Sequence, residues 1–181
     1  MSAPRITPAK WDLYFEFLMK WEGEVLENVP GDAGGLTKFG VDQRAHPGVD
    51  IAALSRSDAK RVHLEDYFKT DAGRMPEPFN YAFFDMAMNA GNRAAVKTLQ
   101  RTVGAEPDGS WGPKTQRAVD AYFQRVAPAE IMLRYHTERE AYYRRLVWGN
   151  PKNAKFLNGW LNRTTSSKKW CIARLREEGG K

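Results

Sequence analysis

Residues 20–40 read KWEGEVLENVPGDAGGLTKFG and gather the side chains of this chain best suited to chemistry. Glu22, Glu24 and Glu27 close a run rich in aromatic residues, and a glycine-rich loop then offers Asp32 and Thr37. One carboxyl beside a scissile bond can donate a proton, a second can assist water or offset developing charge, and a hydroxyl can orient that water. Such work needs a carboxyl set apart from ordinary surface charge.

Helical geometry singles one out. Thr7 and Pro8 read as an N-cap and a first helical residue, opening a helix expected to run to about Gly23. On a wheel of about 100° per residue with Trp11 at zero, Tyr14, Phe15, Leu18, Val25 and Leu26 fall within about 60°, and Glu22 within about 20°. Asp12, Glu16, Lys20, Glu24 and Glu27 project to the opposite, solvated side. A carboxyl held against apolar neighbours resists ionisation and so suits a general acid. The ordinary alternative for Glu22 is a buried ion pair or a cap, but its place just before Gly23 favours an opening where the helix breaks. Asp32 is the leading second carboxyl, although Asp in PGDAGG also serves as a turn former, and the Thr37 hydroxyl also suits a local turn. Two carboxyls flanking a bond are the chemistry of glycoside hydrolysis.

The elements that must carry these residues are helical. Ser57 is expected to cap a second helix over DAKRVHLEDYF, and MPEPF separates it from FNYAFFDMAMNAG, apolar enough to be a buried central helix. Asn92 can cap the next helix, Gly104 ends it, EPDGSWGP turns the chain, and Pro113 and Pro128 open two more. One or two further helices follow. Beyond a short loop or hairpin around residues 36–43 no strand-like alternation persists, and no internal repeat is present. The expectation is an all-α fold of about seven to eight helices, with a lobe over 1–75 carrying Glu22 and the loop, and a helical lobe over 76–181, both packed into one domain.

Composition narrows the class. With 181 residues and 42% apolar content the chain can build a core. Its single cysteine, Cys171, leaves no intramolecular disulfide and reads as a small buried thiol. His46, His63 and His136 show no metal-ligand spacing, so no metal and no cofactor are expected. There is no apolar export segment and no run long enough to span a membrane, so synthesis in the cytoplasm and no stable membrane insertion are expected. Residues 1–75 hold 10 of the 28 basic and 12 of the 22 acidic residues, which leaves 18 basic and 10 acidic in the remainder. That basic second half suits an anionic polymer, either nucleic acid or bacterial cell wall. No DNA-reading motif supports the former.

WEGEVLENVPGDAGGLTKFGV resembles the Glu-Gly-Gly-Tyr signature and the following Asp-x-Gly-Gly-x-Thr-x-x-Gly-Ile segment of glycoside hydrolase family 108, the N-acetylmuramidases of bacteria and phages with a lysozyme-like fold, with Gly40 at the second-to-last position. FFDMAMNAGNRAAVKTLQRTVGAEPDGSWGPKTQRAV is similar to the family's predicted peptidoglycan-binding segment, with Asp85, Asn89, Gly91, Leu99, Gln100, Asp108, Gly109, Gly112 and Thr115 matching. The chain departs from the signature at Glu24 and Val25, where the family has Gly and Tyr. The resemblance implies that Glu22 is the general acid for the β-1,4 bond between N-acetylmuramic acid and N-acetylglucosamine, with Asp32, Thr37 or both managing the water. Sugar rings stack on aromatic faces and their hydroxyls take polar side chains. Asn89 and Trp111 are therefore the candidate sugar contacts, while Trp148 and Trp160 read first as packing residues.

The expected partner is the peptidoglycan glycan strand, and the expected state a monomer. If phage-encoded, the chain resembles an endolysin that reaches the wall in the periplasm after a holin permeabilises the inner membrane. Competing readings are a lytic transglycosylase on the same bond, a non-catalytic wall-binding module, and a nucleic-acid binder.

Overall fold

The Thr7 hydroxyl accepts from the Lys10 amide at 3.4 Å and Pro8 fills the first helical position, so helix α1 (Pro8–Leu18) begins where the sequence places it. The computed structural model describes residues 6–28 and 35–179. The chain folds as two units, Met1–Lys69 and Thr70–Lys181.

In the first unit α1 stops at Leu18, sooner than expected. The Lys20 amide returns to the Phe17 carbonyl at 3.3 Å and the Trp21 amide to that of Leu18 at 2.9 Å, so the helix tightens into a three-residue turn. Phe17, Leu18 and Met19 are all buried, which a helix burying one stripe could not achieve if it continued. Val25 and Leu26, expected on its apolar face, are 72% and 41% exposed.

Helix α2 (Arg56–Lys69) starts from Ser55 rather than Ser57. The Ser55 hydroxyl accepts from the Asp58 amide at 3.1 Å, and its carbonyl already takes the Ala59 amide at 2.9 Å. Within this unit the Trp11 ring lies 5.7 Å from that of Tyr67, with Nε1 donating to the Lys60 carbonyl at 3.2 Å. Arg56 clasps Glu16 with bonds of 2.8 and 2.9 Å and covers the Phe15 ring at 5.2 Å. Strands β1 (Glu27–Asn28), β2 (Leu36–Lys38) and β3 (Val41–Asp42) form an antiparallel sheet in that order. The hairpin expected around 36–43 is β2–β3, and β1 joins it as a strand too short to leave a pattern in sequence.

The second unit is built on α3 (Phe79–Ala90), buried at every position from Phe79 to Ala87. A helix buried on all sides must be surrounded, and α4 (Asn92–Val103) and α7 (Ala154–Gly179) pack on it. Helices α5 (Pro113–Arg125) and α6 (Pro128–Gly149) pack on α4, and α6 runs against α7. Gly104 ends α4 in the left-handed region at φ 75°. The turn after it is clamped by one side chain: Gln100 Nε2 donates to Asp108, to the Ser110 carbonyl and to Thr115 at 2.8, 3.1 and 2.9 Å, and its Oε1 accepts from the Gly109 amide at 2.9 Å. Cys171 is fully buried, as expected. The fold is all-α apart from the small sheet, with seven α-helices among the described residues, none long and apolar enough to cross a membrane.

Two buried polar groups set this unit's response to mutation and pH. Asp85 takes Arg139 Nη1 at 2.6 Å and Arg163 Nε at 2.9 Å, with all three side chains buried. Burial pushes its carboxyl pKa up, but the two guanidiniums outweigh this and hold it below the ordinary value. Asp85→Asn leaves two buried cations short of their counter-charge and should cost about 3–5 kcal/mol, read as a lower urea midpoint. Burial also pushes His136 down to about 3 from an ordinary 6.5. The unfolded chain therefore takes up a proton before the folded one, and the stabilisation present above pH 6.5 is lost as pH falls toward about 3. The melting temperature should drop between about pH 6.5 and 4, and His136→Gln should flatten that slope.

Candidate active site

Strands β2 and β3 are joined by two residues, Phe39 and Gly40, both with positive φ, 52° and 74°. Such turns match the twist of a hairpin, but a bulky L-residue pays about 1–2 kcal/mol for that region. Three contacts hold Phe39 there. Its amide donates to the Gly23 carbonyl at 2.7 Å, its ring is buried, and its carbonyl lies 2.7 Å from His63 Nε2. A carbonyl can only accept, so His63 carries its proton on Nε2. Burial holds the imidazole pKa below its ordinary value, keeping the ring neutral.

Gly40 is required for a second reason. A Cβ at this position would lie 2.7 Å from Glu22 Oε2 and 2.8 Å from its Cδ and Cγ. The Glu22 side chain thus rests on the bare α-carbon of the turn. Of the acidic residues between Asp12 and Glu27, Glu22 alone is half-buried, and Asp12, Glu16, Glu24 and Glu27 are exposed. A turn seats it, not the helical face the wheel assigned.

Thr37 occupies the central strand, opposite Glu27 on one side and Asp42 on the other, so the three side chains share one face of the sheet. Glu27 Oε1 reaches within 3.7 Å of where a Cβ on Gly23 would stand, which brings a second carboxyl beside the backbone that follows Glu22. Asp32 lies outside the described residues.

Asn89 and Trp111 belong to the second unit and stand in separate contacts. Asn89 Oδ1 accepts from the Tyr143 hydroxyl at 2.5 Å. Trp111 donates from Nε1 to Gln116 at 2.8 Å, meets the Phe83 ring edge-on at 5.9 Å and carries the Arg74 guanidinium at 5.4 Å. Among the described residues no three His, Cys, Asp or Glu side chains gather to hold a metal. Sequence reasoning missed the support that His63 gives the turn, and Gly40 entered it only as a matched position of the family segment. The signal in the sequence is the Phe-Gly pair between two short β-prone runs, and no side-chain pattern ties His63 to that turn.

Residues 15–91 match the glycosyl hydrolase 108 family, and residues 94–165 match a domain described as a predicted peptidoglycan domain. The chain thus joins a stretch similar to glycosyl hydrolase 108 to one similar to a predicted peptidoglycan domain. It is a glycoside hydrolase acting on peptidoglycan. No curated protein matches this glycosyl hydrolase. Among solved structures it shares its fold with SagA of Brucella abortus, at a TM-score of 0.72 and 24% identity, over 92% of this chain and 96% of the other.

The turn fixes where the Glu22 carboxyl stands, and a displacement of about 1 Å at a reacting group can cost about a hundredfold in rate. Gly40→Ala adds a methyl where Glu22 lies, in a backbone region that costs an L-residue about 1–2 kcal/mol. It should lower the clearing rate of purified peptidoglycan by about a hundredfold while leaving the melting temperature within several degrees of wild type.

Proposed function

We propose that this glycoside hydrolase cleaves the β-1,4 bond between N-acetylmuramic acid and N-acetylglucosamine, with Glu22 as the general acid. The observation that carries this reading is the seating of Glu22 on Gly40, which fixes one carboxyl outside the helix while its acidic neighbours point to water. Acid catalysis needs a carboxyl in a defined position, and the seat on Gly40 supports that reading. Water or charge is then managed by Asp32 or by Thr37. Asn89 and Trp111 are the proposed sugar contacts in the second unit.

The biological setting follows from the substrate. We take the enzyme to be made in the cytoplasm, to act as a monomer on the wall in the periplasm, and, if phage-encoded, to depend on a holin for access and to lyse the host cell.

Glu22→Gln keeps the size of the side chain and removes the acid. Clearing of purified peptidoglycan should fall at least about a hundredfold, Asp32→Asn and Thr37→Ala should each fall less, and mass analysis of the wild-type products should give reducing muramic ends. Anhydro ends would assign a lytic transglycosylase, and full activity of Glu22→Gln would remove Glu22 from the chemistry.

A further inference from the structure

The chain from Ala141 to Arg176 contains nine Lys and Arg residues and no Asp or Glu. Part of this charge is neutralised within the unit, since Arg163 is buried on Asp85, and Lys168 and Arg174 reach Glu140 and Glu177. Arg144, Arg145, Lys152 and Lys155 are different. All four are exposed around the junction of α6 and α7, and none enters an ion pair among the described residues. Such a one-signed surface attracts a polyanion.

Large rings stand in water among these cations. Trp148 is 88% exposed and makes no hydrogen bond or ring contact among the described residues, and Phe156 is 48% exposed with Lys155 Nζ 4.8 Å from its centroid. Trp148 follows Arg144 and Arg145 by four and three residues, which sets it above them on one side of α6. The junction beneath is firm. Asn150 Oδ1 accepts from the Lys152 amide at 3.2 Å, Asn153 Nδ2 donates to the Leu146 carbonyl at 3.2 Å, and Trp160 stacks on Tyr143 at 5.1 Å while flanking Phe156 at 5.7 Å. A surface fixed in this way loses little entropy on binding.

We infer that the α6–α7 junction of the second unit is a wall-docking surface which retains the enzyme on insoluble peptidoglycan. Trp148 and Phe156 take the apolar faces of N-acetylated sugars, and Arg144, Arg145 and Lys152 take the carboxylates of the stem peptides. Rings interspersed with cations and with the exposed Asn150 and Asn158 fit a polymer of acetamido sugars and carboxylates. A membrane-seeking surface instead needs an uninterrupted apolar face, and here Lys152 and Lys155 break it. The inference rests on peptidoglycan being the substrate, not on Glu22 being the acid.

The test is sedimentation of the full chain with purified sacculi freed of lipid and nucleic acid, at 4 °C in the Glu22→Gln background. Trp148→Ala with Phe156→Ala should weaken retention about tenfold, and Arg144→Glu with Arg145→Glu at least as much. Lys114→Glu with Arg117→Glu makes the same change of net charge on exposed positions of α5 and should weaken it less than about threefold. Melting temperatures of the variants establish that each is folded. Unchanged retention of the ring variant, equal losses from the two charge pairs, or Trp148-dependent binding to phosphatidylglycerol vesicles in place of sacculi would overturn the assignment. Digestion of sacculi by the Glu22→Gln chain would count against the catalytic reading alone, because retention is measured separately from turnover.

Discussion

The hydrogen bond from His63 to the Phe39 carbonyl sustains a backbone conformation that a phenylalanine would not keep unaided. A neutral imidazole buried in α2 spends its one donor on this carbonyl, and the Gly23 carbonyl takes the amide of the same residue. Phe39 is thereby fixed from both faces of its peptide units, and Gly40 follows in the left-handed region with no side chain to fend off Glu22. Helix, turn and carboxyl form one mechanical chain within the first unit. The short sheet is its lever arm, far too small to be stable by itself.

Two carboxylates of this sequence are set apart by their surroundings. Asp85 is sealed between Arg139 and Arg163, with no access to solvent. A group so paired has no free capacity to exchange a proton during turnover, so its contribution is to the core of the second unit. Glu22 stays half-buried and leans on backbone at Gly40. Residue type does not distinguish the two; burial does, for Asp85 is enclosed while Glu22 keeps access to solvent.

Much of the architecture was legible because it is locally encoded. Thr7 with Pro8, Gly104 and Pro113 mark helix ends through capping chemistry that needs no tertiary partner, and the near-continuous apolar run after Pro78 marks a surrounded helix. What failed was decided by distant packing. The wheel extended α1 through Glu22 because nothing in the sequence forbids it, yet burial of three successive side chains at Phe17, Leu18 and Met19 turns the chain away. Glu22 is half-buried all the same, but through its seat on Gly40 rather than through a helical face. The support from His63 was illegible, for it joins residues 24 positions apart through a backbone carbonyl that carries no side-chain signature. Trp148 was read as packing because exposure at a helix end cannot be told from burial by periodicity.

Cys171 has a further use. It is the chain's single thiol, fully enclosed, and burial raises its pKa well above that of a free cysteine. In the folded molecule an alkylating reagent finds neither access nor thiolate there. Its rate of labelling therefore counts the moments at which α7 lifts from its neighbours, so the protein carries a built-in clock for the opening of its own core.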